Sequence, residues 1–200
     1  MSALELVAVA VSFLGIWLTA RRMMVCWPVN ILACALYFKL FLDVKLYADM
    51  VLQALFGLAM IYGWVAWARS RHDSPQVGAA GASDVVSVVP LRPLALLSGL
   101  GLGALGAVAI GWFTSHYTDA ALPWIDAALS SFSLVAQFWA ARRHAENWLL
   151  WIAADLVYVG MFVFKGLWLT AGLYAALVVL AVLGWRQWRR GAAAAGGAIS

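Results

Sequence analysis

Residues 21–27, Arg-Arg-Met-Met-Val-Cys-Trp, and residues 142–148, Arg-Arg-His-Ala-Glu-Asn-Trp, decide the fold, because they lie 121 residues apart and belong to two copies of one pattern. Laid over itself at that offset without a gap, the chain also puts Tyr37 on Tyr158, Leu46 on Leu167 and Gly63-Trp64-x-x-Trp67 on Gly184-Trp185-x-x-Trp188. Sixteen of the 66 positions from 4 to 69 are identical, and three of them are tryptophan pairs. Random placement predicts roughly 0.2 such pairs, so the match is an internal repeat.

The repeated segments are apolar. Hydrophobic residues make up 66% of the 200-residue chain and charged residues 11%, against about 45–50% and 25% in soluble domains, too little polarity to cover a water-facing surface. The chain therefore reads as an all-α integral membrane protein. Two cysteines, Cys26 and Cys34, exclude a disulfide scaffold; about 12 Å apart along one helix axis, they do not pair with each other. The net charge of +4 is spread in ones and twos between apolar runs, with no basic stripe to track a nucleic acid.

Charges and turn residues cut the chain into seven apolar runs, approximately 4–20, 27–42, 47–68, 94–113, 124–141, 148–164 and 168–188, each near the length that crosses a bilayer. Glu5 stands where a signal peptide would carry basic residues, so the first run is expected to stay as a helix. With seven spans, ten arginines (21, 22, 69, 71, 92, 142, 143, 186, 189 and 190) fall on one side. Lys39, Lys45 and Lys165 fall on the other, with Glu5, Asp43, Asp49, Asp119 and Asp126. The positive-inside rule then predicts an outside N-terminus and a cytoplasmic C-terminus.

Three helices per repeat with one between them give a 3+1+3 order and make the repeats parallel, related by an axis along the membrane normal. The predicted parts are a first repeat over 1–69, a cytoplasmic linker over 70–93, a connecting helix over 94–113, a second repeat over 124–190 and a flexible tail over 191–200. Gly99, Gly101, Gly103 and Gly106 of the connector are expected to serve close helix packing.

In parallel-repeat transporters the substrate site lies near mid-membrane between the repeats, so the polar residues there carry the functional reading. Trp148, Trp151, Asp155 and Tyr158 share one face of the sixth helix. Asp155 falls about 12 Å into that helix, close to mid-bilayer, where an ionisable group is expensive and marks function or an interhelical hydrogen bond. The matching face of the second helix is Trp27, Asn30, Cys34 and Tyr37, alike at its ends and different in its middle. Gln53, Gln137 and Asn30 are expected to point inward, toward ligand or each other. Trp64 and Trp185 read as interfacial anchors or stacking platforms, Trp185 being the better stacking candidate. Lys39 and Lys165 read as snorkelling anchors.

No catalytic, cofactor or metal site is expected. His72, His116 and His144 lie in loops without ligand spacing, and no phosphate-binding glycine loop or nucleophile motif is present. The last helix has no lysine for a retinal Schiff base.

The segments Glu146-Asn147-Trp148-Leu149-Leu150-Trp151, Leu46-Tyr47-Ala48 and Tyr62-Gly63-Trp64-Val65-Ala66-Trp67 strongly resemble the PnuC family of nicotinamide riboside transporters, and the resemblance spans residues 4–190. It implies a full-length SWEET-like fold in a bacterial inner membrane. It also implies facilitated diffusion of a phosphate-free vitamin precursor, trapped afterwards by a separate cytoplasmic kinase. Asn147, in the first motif, joins the expected substrate contacts, which are then Asn30, Gln53, Gln137, Asn147, Trp151, Asp155, Tyr158 and Trp185, bounded by helices two, three, six and seven. Members of the family carry nicotinamide riboside, thiamine or riboflavin. Asp155 stands where the nicotinamide riboside members lead one to expect an amide. A carboxylate suits the fixed positive ring of nicotinamide riboside or thiamine better than neutral riboflavin. The expected partners are thus a small-molecule substrate and the lipid bilayer, with no nucleic acid and with room for a homo-oligomer. Nicotinamide riboside is the leading substrate and thiamine the alternative. A membrane receptor that binds without transporting is the competing class.

Overall fold

In a bilayer every backbone N–H and C=O must be satisfied within the chain, which turns an apolar run into a helix. In the computed structural model each of the seven runs is one: α1 (Ala3–Ala20), α2 (Cys26–Asp43), α3 (Tyr47–His72), α4 (Pro93–Tyr117), α5 (Pro123–Ala141), α6 (Asn147–Phe164) and α7 (Trp168–Gly196). The structure describes residues 3–43, 47–72, 86–118, 122–164, 166 and 168–196. Lys45, Lys165, Asp119, linker residues 73–85 and tail residues 197–200 lie outside that set. Pro93 and Pro123 open α4 and α5, where the missing N–H is not needed. By length and composition α2, α3, α4, α6 and α7 can cross a membrane, and α1 contributes a shorter apolar stretch, Leu4–Ala20. The lower apolarity of α5 comes from Ser130, Ser131, Ser133 and Gln137, which turn to neighbours rather than to lipid.

One expectation for the connections changes. The last helix does not stop near 190 but continues to Gly196, because Ala192–Ala195 is a run of the best helix former. Of the linker, residues 86–92 lead into α4 outside any helix, with Val86 and Val88 buried.

Helix contacts form a closed ring. α1 packs on α2, α2 on α3, α3 on α5, α5 on α6, α6 on α7 and α7 on α1, while among the described helices α4 touches α5 alone and stays outside. Cβ atoms at Gly99, Gly103 and Gly111 of α4 would fall 2.7, 2.7 and 2.5 Å from the rings of Trp139, Phe132 and Trp124, so glycine is what lets α4 approach α5. Ser131 Oγ donates to the Gly103 carbonyl at 2.8 Å across the same contact. A Cβ at Gly101 would meet nothing within 4 Å among the described residues, so that glycine has no such role. The opposite side of α4 leaves Leu94, Leu97, Leu102 and Leu105 exposed, an apolar face suited to lipid.

Contacts that cross the ring are reciprocal. Trp67 of α3 donates its indole N–H to the Ala140 carbonyl at 3.2 Å. Its counterpart Trp188 of α7 donates to the Thr19 carbonyl, counterpart of Ala140, at 3.1 Å. A pair of bonds in which each repeat gives the same donor and takes it at the same acceptor is the mark of a two-fold relation.

Both repeats also end their first helix alike. Met23 and His144 bond back to Leu18 and Trp139, and Arg22 and Arg143 to Thr19 and Ala140, the Schellman pattern. Arg22 and Arg143 take the left-handed position, at φ 59° and 66°, where glycine is the usual residue.

Candidate functional site

The ring encloses a cavity of about 470 Å³, within the range of small-molecule sites. Its wall repeats across the two-fold. Ser12 faces it with Ser133, Ala33 with Ala154, Tyr37 with Tyr158, and Trp27 with Trp148, each pair separated by the 121-residue offset.

Four tryptophans close one end. Trp27 meets Trp67 edge-on at 5.1 Å, Trp148 meets Trp188 edge-on at 5.9 Å, and Trp67 and Trp188 meet across the axis at 6.0 Å. Trp67 and Trp188 are wholly buried, and Trp27 and Trp148 nearly so. The glycine-tryptophan motifs explain how they fit. A Cβ at Gly184 would lie 2.6 Å from Trp148 Cε2, and one at Gly63 would run into the ring of Trp27. This closed end is the arginine-rich end. Trp27 and Trp148 form the floor of the cavity. Their indole N–H groups and the Asn147 Oδ1 are buried without a hydrogen-bond partner among the described residues. Each such orphan costs about 1–3 kcal/mol unless a ligand or water meets it.

Above the floor lie the residues singled out from sequence. Asn30, Gln53, Gln137, Asn147, Trp151, Asp155 and Tyr158 all line the cavity. Several already hold a protein partner. Asn30 Nδ2 donates to Thr19 Oγ1 at 3.1 Å, Asn147 Nδ2 to the His144 carbonyl at 2.6 Å, and Gln137 Nε2 to the sulfur of Met60 at 3.2 Å, across the seam between α5 and α3. Asp155 has no hydrogen-bond or ion-pair partner among the described residues and is 8% exposed. The described lining holds no lysine, arginine or histidine, and Asp155 is its one carboxylate.

Trp185 is the exception. It lies outside the cavity wall, packed against the buried core of the arginine-rich end, with the Arg189 guanidinium 5.3 Å above its ring. Its counterpart Trp64 is exposed on the helix surface. One turn separates each from the inward-facing Trp67 or Trp188, and the face that points inward belongs to the second tryptophan of the motif.

The site also reaches beyond the residues expected from sequence. α1 and α5 contribute Ser12, Ile16, Thr19, Ser130 and Ser133, and α7 contributes Tyr174, whose ring lies 4.6 Å from that of Tyr158. The repeat carried the signal, since Ser12 falls on Ser133, Ile16 on Gln137 and Gln53 on Tyr174. Lys39, at the other end of α2, makes an exposed i,i+4 ion pair with Asp43 at 2.6 Å, a pair worth little in itself. Both cysteines are free.

Residues 2–190 match the family described as nicotinamide mononucleotide transporter. The chain is 26% identical over 204 residues to the nicotinamide riboside transporter PnuC of Escherichia coli, covering 94% of this chain and 85% of that protein. It is 27% identical over 169 residues to the riboflavin/roseoflavin transporter RibM of Streptomyces davaonensis, covering 84% and 76%. The crystal structure of the vitamin B3 transporter PnuC superposes with a TM-score of 0.73 at 22% identity, over 94% of this chain and 81% of that one, so the fold is shared. Apolar helices in a ring, a central cavity and a match over almost its whole length agree: the chain belongs to the nicotinamide mononucleotide transporter family, and is a multi-pass membrane transporter rather than an enzyme.

Proposed function

We propose that the protein is a uniporter that equilibrates nicotinamide riboside across a bacterial inner membrane, with its arginine-rich end in the cytoplasm. The observation that carries this reading is the charge of the cavity: one unpartnered carboxylate, Asp155, and no base among the described lining residues. A ligand with a fixed positive ring gains a partner there, whereas a phosphate would meet a like charge with nothing to offset it. The nucleoside is therefore favoured over the nucleotide that the family description names. Aromatic rings at Trp151 and Tyr158 offer faces to a cationic ring. The amides of Asn30, Gln53 and Gln137, with the orphaned groups at the floor, offer donors and acceptors to a carboxamide and to hydroxyls. The same residues would contact the substrate: Asn30, Gln53, Gln137, Asn147, Trp151, Asp155 and Tyr158. A separate kinase in the cytoplasm would trap the product by phosphorylation.

Thiamine is the second reading, because it too carries a fixed positive ring for Asp155. Riboflavin, named for the Streptomyces relative, is neutral and leaves that carboxylate without use.

The test is uptake and counterflow in proteoliposomes. Labelled nicotinamide riboside is expected to equilibrate without ATP, and unlabelled ligand inside is expected to drive transient accumulation of external label. Uptake that requires a proton or sodium gradient overturns the uniport mechanism, binding without counterflow points to a receptor, and exchange of thiamine in preference to nicotinamide riboside overturns the substrate. Orientation is tested by impermeant labelling of a cysteine introduced at residue 190, expected to react in inverted vesicles only.

A further inference from the structure

Beneath the four tryptophans, residues 86–89 cross the arginine-rich end as an extended segment that belongs to neither repeat. Its side chains alternate as in a strand, with Val86 and Val88 buried in the core that holds Trp27, Trp67, Trp148 and Trp188, and Ser87 facing out. Its polar atoms are tied to both repeats at equivalent places. Val86 N–H donates to the Arg22 carbonyl at 3.3 Å, and Val89 N–H to the Arg143 carbonyl at 3.0 Å. In return Arg22 Nη1 donates to the Val86 carbonyl at 3.2 Å, Arg143 Nη1 to Ser87 Oγ at 3.0 Å, and His144 Nδ1 lies 3.0 Å from the Val89 carbonyl. Arg22 and Arg143 are the two non-glycine residues with positive φ among the described residues, so the segment docks on the two places where a side-chain-bearing residue is held in a costly backbone conformation.

We propose that residues 86–89 are a strap that bolts the arginine-rich end of the transporter shut, and that its release from the Arg22 and Arg143 turns is the step that lets this end of the cavity open. The segment joins one repeat to the other across the two-fold, so the repeats cannot part at this end while both attachments hold. Its hold is also small enough to break in a transport cycle: two buried valine side chains and a handful of hydrogen bonds, each of which exchanges for one to water on release. The strap rests on the transport reading above only in supposing that this end opens at all, and not on which substrate passes.

The two native cysteines report the outcome. Cys26 is buried in the core that the strap covers, and Cys34 lies on the cavity wall beyond the tryptophans. Two single-cysteine proteins, one with Cys26→Ala and one with Cys34→Ala, are labelled with an impermeant maleimide from the arginine-rich side, using intact spheroplasts and inverted vesicles to choose the side. With Val86→Asp and Val88→Asp together, labelling of Cys34 from that side is expected to rise by about tenfold, equivalent to about 1.4 kcal/mol in the opening equilibrium. Labelling of Cys34 that stays at the wild-type rate overturns the proposal, and so does a rise at Cys26 alone, which would make the strap a cover and not a bolt. The milder pair Val86→Ala and Val88→Ala, which buries no charge, guards against misfolding and is expected to raise Cys34 labelling about threefold. Failure of nicotinamide riboside transport in wild-type vesicles, with these labelling ratios intact, would sink the substrate reading and leave the strap standing.

Discussion

Replacing Asp155 by Asn tests the charge argument with little change of shape. The carboxylate is 8% exposed on α6 and is the one acid among the described residues of a cavity wall without a base. Asn keeps the volume and one acceptor oxygen and removes a single charge. Two unit charges about 5 Å apart at an effective dielectric of about 20 interact by about 3.3 kcal/mol. Water left in the cavity takes part of this back, so the expected loss of affinity for a cationic ligand is about 10- to 100-fold, or about 1.4–2.7 kcal/mol.

The measurement is the ratio of affinities for nicotinamide riboside and its reduced, uncharged counterpart, each by competition against labelled substrate in the same proteoliposomes. Asp155→Asn is expected to lower affinity for the cation and to leave that for the neutral ligand within about twofold, so the ratio falls by most of the 10- to 100-fold range. Maximal exchange is expected to hold or rise, because a transporter that keeps a strong ion pair through its cycle releases its ligand slowly. An unchanged ratio would refute the direct role of Asp155, even if transport itself were slower, since a carboxylate acting only in helix packing affects both ligands alike.

Three further outcomes follow from the geometry. Exchanging the two-fold mates, with Cys34→Asp and Asp155→Cys in one protein, carries the charge to the related wall position and is expected to recover at least about tenfold of the cation affinity lost by Asp155→Cys alone; no recovery would place the substrate off the axis. Gly184→Ala puts a Cβ 2.6 Å from Trp148 Cε2 and is expected to cost about 1–3 kcal/mol by overpacking. Gly160→Ala, with nothing within 4 Å, gains up to about 1 kcal/mol of helix propensity, so thermal unfolding in detergent should lower the midpoint of the first and not of the second. Trp185→Ala, outside the cavity, should leave substrate affinity within about twofold, a shift below about 0.4 kcal/mol, and a tenfold loss in the binding assay would return Trp185 to the site.

Helices and their order were legible because lipid leaves the chain few options: apolar length specifies a span, and the 121-residue offset specifies which spans correspond. The inward faces of α2 and α6 were legible for a related reason, since an amide or carboxylate in mid-helix has to avoid lipid and so marks the interior. The serines of α1 and α5 carried no such mark. A hydroxyl in a helix can bond back to its own backbone, as Ser12 does to the Ala8 carbonyl at 2.9 Å, so its presence does not say which way the helix faces. Trp185 misled because tryptophan is at home both at the membrane interface and in a core, and only the helical phase of the Gly-Trp-x-x-Trp motif tells its two rings apart. The strap was hidden by its neighbours. Val85-Val86-Ser87-Val88-Val89 is a short strand-like run within a linker rich in turn residues, and alternation over so few positions is weak until a partner backbone is known.

What the two repeats keep and what they change divides the molecule by task. Gly63 and Gly184, Trp67 and Trp188, Trp27 and Trp148, and the arginine turns at Arg22 and Arg143 are identical, and all of them sit at the end that closes. Closure across a two-fold needs the same donor and acceptor from both halves, so a change in one copy breaks both a given and a received contact. The wall is mixed instead: Ser12 and Ser133, Ala33 and Ala154, and Tyr37 and Tyr158 are kept, while Cys34 stands against Asp155, Asn30 against Trp151, Gln53 against Tyr174, and Ile16 against Gln137. A ligand with a charged ring at one end and hydroxyls at the other has no two-fold of its own, and a symmetric wall would offer each of its ends the same surface twice. Specificity therefore has to come from breaking the symmetry at the wall, while reversible closure requires keeping it at the tryptophans.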